Sequence, residues 1–283
     1  MKRASASVVL MLLSAVTSIF LYSAFFLDES TGDPDAIETS FFSKVLNEQR
    51  EAIIHLPYGY DSTQAYPVMY VLDGASQSTH IANKFEVLAT AGLVPPTIVV
   101  GISNVNAESR ERHLVPPFML QDHEDSNSKP GEGDQFLNFM EEELFPFIDG
   151  RYATSGVRLF SGNSRGGLLV MYSLLYKPDL FQGRFCFSTP FWRQDNILVS
   201  KVGDFLKARD TLNTFLYLSA GGAETDNIRN GLSRMDSELK ARGTFGLVSQ
   251  VELTPLASHQ TNAGISAAAA IARWGEYFKR RNN

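Results

Sequence analysis

The stretch from residue 156 to residue 175 constrains the fold of this 283-residue chain more than any other. A short apolar run predicts a buried strand, and a second one, at 168–175, predicts a helix. Between them Gly162, Ser164 and Gly166 form the pattern G-x-S-x-G, which at a strand-to-helix turn is typical of a nucleophile elbow. Both glycines are expected because the two backbones pass close together there. Ser164 is therefore the candidate nucleophile, and the alternative is a glycine-rich turn whose serine has no chemical role.

Predicted strands and helices alternate along the rest of the chain, which is typical of an α/β fold with a mostly parallel sheet and helices on both faces. A long polar loop at 103–132 interrupts the pattern, and loops of this length are usually functional or mobile. The predicted strands are 43–46, 50–57, 67–72, 97–102, 183–187, 214–219 and 245–253, the first two forming an antiparallel pair. The predicted helices are 81–93, one capped by Asp134, 168–175, 227–242 and 263–281.

The composition indicates one globular domain at 28–283 that begins with a polar linker. Hydrophobic residues make up 44% of the chain, enough for one sizeable core. The formal net charge is −6, and no basic block interleaves with aromatic residues, which argues against a nucleic-acid partner. The single cysteine, Cys186, excludes a disulfide within the chain and is predicted to be buried. No cysteine and histidine cluster has metal-ligand spacing, so neither a metal nor a cofactor is expected.

The first 27 residues are predicted to be a targeting segment. Lys2 and Arg3 precede an uncharged stretch, from Ala4 to Leu27, that is long enough to span a bilayer as a helix. A cleavage site is not clear, so we favour an uncleaved signal-anchor, with a cleaved signal peptide as the alternative. The basic end is expected to stay in the cytoplasm. The domain would then be extracytoplasmic, periplasmic or secreted, and tethered to the membrane by this segment alone.

A serine nucleophile needs a base and an acid, and chain order selects the candidates. In an α/β-hydrolase sheet the order is serine, acid, histidine, with the histidine in the loop after the last strand. Of the five histidines, His259 alone satisfies this order. The acid should follow the preceding strand, where Glu224 and Asp226 both qualify. We favour Glu224, because Asp226 is the better placed of the two to cap the following helix.

The oxyanion hole of such a site needs two backbone donors. One is the N–H of Arg165, directly after the nucleophile. The other should come from the loop after the strand at 67–72, where we choose the N–H of Ala75, with Gly74 as its neighbour.

Seven segments, taken in order along the chain, identify a protein family more specifically than the nucleophile elbow alone does. They are 66–74, 133–137, 142–149, 162–168, 177–181, 188–192 and 258–259. Together they resemble the putative-esterase family of α/β-hydrolases, whose branches include esterase D, ferric-siderophore esterases and feruloyl esterases. The resemblance covers roughly residues 43 to 281 and implies a serine carboxylesterase fold with Ser164 and His259 as catalytic residues. It is compatible with Glu224, although some relatives work with a serine–histidine pair alone. Trp192, in one matching segment, is expected to contact the substrate.

Two departures from the family pattern concern the expected substrate region. Asn163 and Arg165 flank the serine where the family has histidine before it and a bulky apolar or aromatic residue after it. The loop 109–116 resembles an Arg-x-Arg-Asp-x-Thr-Pro motif but carries His113 and Val115 in place of aspartate and threonine. The family's exact substrate is therefore not transferred to this chain.

The sequence as a whole predicts a serine carboxylic-ester hydrolase acting on a small-molecule ester. Arg110, Arg112 and Arg165 are predicted to add positive charge at the mouth of the site, which would favour an anionic siderophore or phenolic ester. The alternative for these arginines is pairing with Glu111 and other local acids. Two other functions use the same fold: an acyltransferase with the same catalytic residues, or a non-catalytic binding protein.

Overall fold

A computed structural model describes residues 36–241 and 243–282, and within them one sheet of eight strands organises the chain. The strand order across the sheet is β1-β2-β4-β3-β5-β6-β7-β8. Strands β1 and β2 are antiparallel to their neighbours, whereas β3 to β8 are parallel to one another. The strands are β1 (Ile37–Ser43), β2 (Glu48–His55), β3 (Tyr66–Leu72), β4 (Ile98–Ile102), β5 (Thr154–Asn163), β6 (Gly183–Phe187), β7 (Thr211–Gly221) and β8 (Phe245–Thr254).

Helices connect the parallel strands, so that each loop after a strand opens on the same edge of the sheet. The helices are α1 (Gly74–Thr90), α2 (Ala107–His113), α3 (Gly133–Phe139), α4 (Phe145–Asp149), α5 (Arg165–Tyr176), α6 (Arg193–Lys207), α7 (Asp226–Ala241) and α8 (Asn262–Asn282). A single π-helical turn, Met140–Leu144, joins α3 to α4. This architecture confirms the predicted fold class, an α/β-hydrolase fold with a mostly parallel sheet.

Two hydrophobic cores lie on the two faces of the sheet. Successive residues of a strand point to opposite faces, and in β3 Tyr70 packs into one core while Met69 and Val71 pack into the other. Helices α3 to α7 cover the first core, and α1 and α8 cover the second. Burial on both faces explains why the central strands are almost continuously apolar.

Helices α1 and α8 pack against each other on their own face of the sheet. Gly275 of α8 lies so close to the segment after α1 that a β-carbon there would be 2.3 Å from the carbonyl oxygen of Leu93. The ammonium group of Lys279 also donates a hydrogen bond to the carbonyl of Gly92 at 2.6 Å. The helix pair is thus fastened at the end remote from the carboxyl edge of the sheet.

Several predicted boundaries are wrong, each for a local reason. The first strand is 37–43 and not 43–46, because this largely exposed edge strand is mostly polar and forms no continuous apolar run. Helix α1 begins at Gly74, well before residue 81, since its first turns are largely polar. The loop at 103–132 contains the short helix α2. Asp134 lies inside the first turn of α3, and the N-cap residue is Glu132.

The predicted targeting segment and its boundary at residue 27 fall outside the described residues. Within the part of the chain that the structure does describe, no helix is long and apolar enough to cross a membrane.

Candidate active site

The turn between β5 and α5 holds Ser164 in a backbone conformation that few serines adopt. Its φ is 54° and its ψ is −121°, a combination that costs on the order of 1–3 kcal/mol for a residue with a side chain. Its N–H donates to the carbonyl of Phe187 at 2.8 Å, which fastens the turn to the end of β6. Such strain is kept where the surrounding structure imposes it, as at a nucleophile elbow.

The structure requires glycine at two positions near Ser164, but only one of them belongs to the G-x-S-x-G pattern. A β-carbon on Gly162 would lie 2.4 Å from the carbonyl carbon of Gly166, so the two backbones leave no room for one. At Gly166 itself, the nearest atom would be 3.4 Å away, on Leu72, which is an ordinary contact. The stricter demand falls one residue later, where a β-carbon on Gly167 would meet the hydroxyl of Thr189 at 1.9 Å.

Gly162→Ala is expected to lower the free energy of unfolding by about 3 kcal/mol, because the added carbon overlaps backbone that cannot move without opening the turn. Urea unfolding followed by circular dichroism measures this change. The matched control is Gly264→Ala in α8, where a β-carbon would meet nothing within 4 Å. This control should stay within about 1 kcal/mol of the wild type. Equal stability of the two variants would contradict the close packing at the elbow.

His259 and Glu224 are in direct contact. The Nδ1 atom of His259 lies 2.7 Å from Oε2 of Glu224, and the imidazole is half-buried while the carboxylate is almost fully buried. His259 comes from the loop between β8 and α8, and Glu224 from the loop between β7 and α7. With Nδ1 engaged by the carboxylate, the remaining ring nitrogen, Nε2, is left to act on another group.

A set of hydrogen bonds keeps Glu224 ionised in a buried position. Burial alone would raise its pKa, but hydrogen bonds from His259, the Gly221 N–H and the Ser188 hydroxyl outweigh it and lower the pKa below the usual carboxyl value. Oε1 accepts from the Gly221 N–H at 2.6 Å and from the Ser188 hydroxyl at 2.7 Å. A carboxylate held in this way can orient an imidazole and stabilise its protonated form.

Asp226, the alternative acid, lies apart from this contact. Its carboxylate is exposed at the start of α7 and forms an ion pair with Arg229. The structure therefore brings Glu224, and not Asp226, to His259.

The loop after β3 lies against the elbow and is fastened through Asp73. The Asp73 carboxylate accepts two hydrogen bonds from Arg110, at 2.6 and 2.8 Å, and one from the Asn104 amide at 2.6 Å. Asp73 has a φ of 56°, so the backbone turns sharply into α1 at this point. Arg110, predicted to bind substrate, is thereby committed to holding the loop in place, although it also lines the cavity described below.

The two predicted oxyanion donors are found in different surroundings. Neither the N–H of Arg165 nor that of Ala75 donates to any acceptor among the described residues. Arg165 lines the same cavity as Ser164, whereas Ala75 is exposed and lines a separate cavity beside β1 and β2. The structure thus brings one of the two donors, Arg165, to the cavity.

A cavity of about 510 Å³ joins the predicted residues. Its size suits a small organic ligand. The lining residues are Arg110, His123, Ser164, Arg165, Pro190, Trp192, Arg193, Ala223, Glu224, Thr225, Ile228, Ser258, His259 and Gln260. Trp192, predicted to contact substrate, is among them, and its ring packs edge-on against His123 with the centroids 5.0 Å apart.

The three predicted mouth arginines all have carboxylate partners, as the alternative interpretation held. Arg165 pairs with Glu111 at 2.9 Å, and Arg110 pairs with Asp73. Arg112 contacts Glu48 and Glu132, each at 3.2 Å, and is not among the residues that line the cavity.

His113 and Val115, expected near the substrate, are instead part of the protein interior. Both are buried, and the His113 ring packs against Phe136 with the centroids 5.5 Å apart. Burial, with the charges of Arg112 and Arg50, lowers the pKa of His113 to about 3, so the ring is neutral near pH 7. The two replacements in the loop 109–116 therefore concern packing.

Sequence reasoning missed three residues of the site: Ser188, Asn262 and Arg193. The Asn262 amide donates to the hydroxyls of Ser188 and Ser219, at 3.0 and 3.1 Å, which extends the buried hydrogen bonds behind Glu224. Ser188 lies in one of the segments that carried the family resemblance, and Asn262 follows His259 by three positions. Closeness in sequence to residues already singled out was therefore the only signal for these two. Arg193 is next to Trp192 and lines the cavity while only 2% exposed.

Comparison with known proteins places the chain in a family. Residues 43–228 match the model of the family described as Putative esterase. The chain belongs to this family. One similar solved structure is the IroE-like serine hydrolase from Shewanella oneidensis, with a TM-score of 0.79 and 26% identity, covering 86% of this chain and 80% of that one.

Two proteins of Bacillus subtilis (strain 168) are also similar. The uncharacterized protein YjcH is 25% identical over 197 residues, which are 67% of this chain and 73% of YjcH. The ferri-bacillibactin esterase BesA is 34% identical over 133 residues, which are 41% of this chain and 45% of BesA. The match to BesA thus spans less than half of that protein. Family membership confirms the predicted resemblance and the predicted reaction class, carboxylic ester hydrolysis.

Proposed function

We propose that this member of the Putative esterase family hydrolyses esters of siderophore or phenolic type with Ser164 as nucleophile, His259 as base and Glu224 as the orienting acid. One observation carries the proposal: the 2.7 Å contact between His259 and Glu224 lies in the same cavity as a serine on a strained strand-to-helix turn. Three separate loops converge there, which a structural role for any single residue would not require.

In the first half of the proposed reaction, the Ser164 Oγ attacks the ester carbonyl carbon. Nε2 of His259 takes the hydroxyl proton, and Glu224 stabilises the imidazolium that forms. The carbonyl oxygen becomes an oxyanion, which the N–H of Arg165 and, as predicted, that of Ala75 stabilise. Collapse of the tetrahedral intermediate breaks the bond to the alcohol, which leaves with the proton from His259.

In the second half, water hydrolyses the ester between the acyl group and Ser164. His259 accepts a proton from the water as the water oxygen attacks the acyl carbon. The second tetrahedral intermediate expels Ser164, which regains its proton from His259, and the carboxylic acid is released. Apart from the predicted N–H of Ala75, in the first turn of α1, each step uses residues that line the 510 Å³ cavity.

The substrate proposal rests on the relatives. BesA is by name an esterase for a ferric siderophore, and its similarity to this chain is 34% over the matched part. An acyltransferase would use the same steps with an alcohol in place of water. We propose an extracytoplasmic location from the segment at 1–27 alone.

The test combines active-site labelling with product analysis. The purified protein should react with a fluorophosphonate probe, and mass spectrometry should locate the adduct on Ser164. The same protein should convert 4-nitrophenyl acetate and a tri-catecholate siderophore ester to free acids. Absence of labelling would favour a non-catalytic binding protein, whereas transfer of the acyl group to an added alcohol in preference to water would favour the acyltransferase.

A further inference from the structure

One positive charge in the active-site cavity has no carboxylate partner. Four charged side chains line the cavity: Arg110, Arg165, Arg193 and Glu224. The first two are paired with Asp73 and Glu111, and Glu224 is bonded to His259. Among the residues that the structure describes, no carboxylate forms an ion pair with Arg193.

Only part of the Arg193 guanidinium is used by the protein. Its Nη2 atom donates to the carbonyls of Leu120 and Gln121, at 2.6 and 3.2 Å. Its Nε atom is buried and has no acceptor among the described residues. A buried donor without a partner costs free energy, and more so when it belongs to a charged group.

Anchoring the neighbouring loop does not by itself explain a charged side chain here. A neutral amide could donate to the same two carbonyls without the cost of burying a cation. Burial, together with the nearby charge of Arg165, lowers the pKa of Arg193 to about 10, so it is still charged near neutral pH. Asp122 and Glu111 favour that charge from a distance without contacting it.

The surrounding backbone holds Arg193 rigidly. The next three residues, 194–196, all have positive φ, between 46° and 60°, and form a left-handed turn. The side chain of Gln194 accepts a hydrogen bond from the Leu120 N–H at 2.9 Å. Arg193 and Gln194 together therefore bond both the carbonyl and the N–H of Leu120. A guanidinium fixed in this way loses little further freedom when a ligand binds.

We infer that Arg193 binds a negatively charged group that the substrate carries apart from its reacting ester carbonyl, in the simplest case a carboxylate. Arg193 thereby makes the site selective for anionic esters. The inference rests on the proposed function, and it assigns the selectivity to a residue other than the predicted mouth arginines. A planar oxyanion can accept from the free guanidinium N–H groups and neutralise the cation at the same time.

The test compares two acetyl esters that differ in charge and little in shape, 4-acetoxybenzoate and 4-acetoxybenzamide. We expect the wild type to prefer the anionic ester. Arg193→Gln keeps a donor for the loop carbonyls but removes the charge, and should reduce the ratio of the two kcat/KM values by about tenfold or more, mainly through KM. Arg193→Lys should keep more than half of the preference. The matched control is Lys240→Gln, which removes one exposed positive charge outside the cavity and should change the ratio by less than about threefold.

A second measurement needs no variant. Benzoate should inhibit hydrolysis of 4-nitrophenyl acetate by the wild type competitively, at least about tenfold more strongly than benzamide, and less so as salt rises. Equal loss of activity toward both esters in Arg193→Gln and Arg193→Lys would show that the side chain only anchors the loop. Equal inhibition by benzoate and benzamide would overturn the inference even if no Arg193 variant folds. Failure of the proposed function would appear differently, as a wild type that hydrolyses neither ester.

Discussion

Ser164→Ala is expected to reduce the hydrolysis of 4-nitrophenyl acetate by at least about 1000-fold, because no other group can form the acyl intermediate. The loss should appear in kcat, since the cavity that binds the ester is unchanged. Alanine fits the turn, because the β-carbon of serine is already accommodated at a φ of 54°. The melting temperature should therefore stay close to that of the wild type.

The matched control is Ser200→Ala, which removes an exposed hydroxyl on α6. It should keep the activity and the fluorophosphonate labelling of the wild type, whereas Ser164→Ala should lose both. A residual rate above about one tenth of the wild type in Ser164→Ala would remove this serine as the nucleophile.

His259→Ala is expected to be nearly as damaging as loss of the serine, and Glu224→Ala less so. Without the imidazole there is no base for the hydroxyl proton, whereas loss of the carboxylate leaves a base that packing still partly positions. We expect the rate with Glu224→Ala to lie about 10-fold or more above that with His259→Ala. Steady-state kinetics on one neutral ester, with the fold checked by circular dichroism, gives the comparison.

Asp226→Ala serves as the control for the acid. Its carboxylate pairs with Arg229 at the surface, and exposed pairs contribute little, so the activity should stay within about twofold of the wild type. If Asp226→Ala proved more damaging than Glu224→Ala, the assignment of the acid would have to be exchanged.

The architecture was predictable because its signals are local and repeated. Apolar runs bounded by glycine and proline marked the parallel strands, and chain order then restricted the base to the last loop. Glu224 and Asp226 are two residues apart, and spacing alone cannot say which one turns inward. That choice depends on Gly221 and Ser188, which offer hydrogen bonds only at the position of Glu224.

Charge pairing was only partly predictable, because the sequence offered Glu111 as a partner but not the acids that hold Arg110 and Arg112. The predicted mouth arginines find acids that are distant in the chain, as Arg110 finds Asp73, 37 positions away. The unpaired cation, Arg193, lies one residue beyond the matching segment 188–192 and belongs to no motif that the sequence analysis used. Only the folded arrangement distinguishes a neutralised arginine from an available one.

The fastening of α1 to α8 has a consequence for how the site can be altered. The loop carrying Asp73 leads directly into α1, and the loop carrying His259 leads directly into α8. Gly275 and Lys279 join the far ends of these two helices. A displacement of the helix pair would therefore move both His259 and the loop after β3. A substitution at Gly275 or Lys279, at the end of the helices remote from the cavity, would shift His259 and the loop after β3 relative to Ser164. Turnover would then change although no cavity residue had been altered.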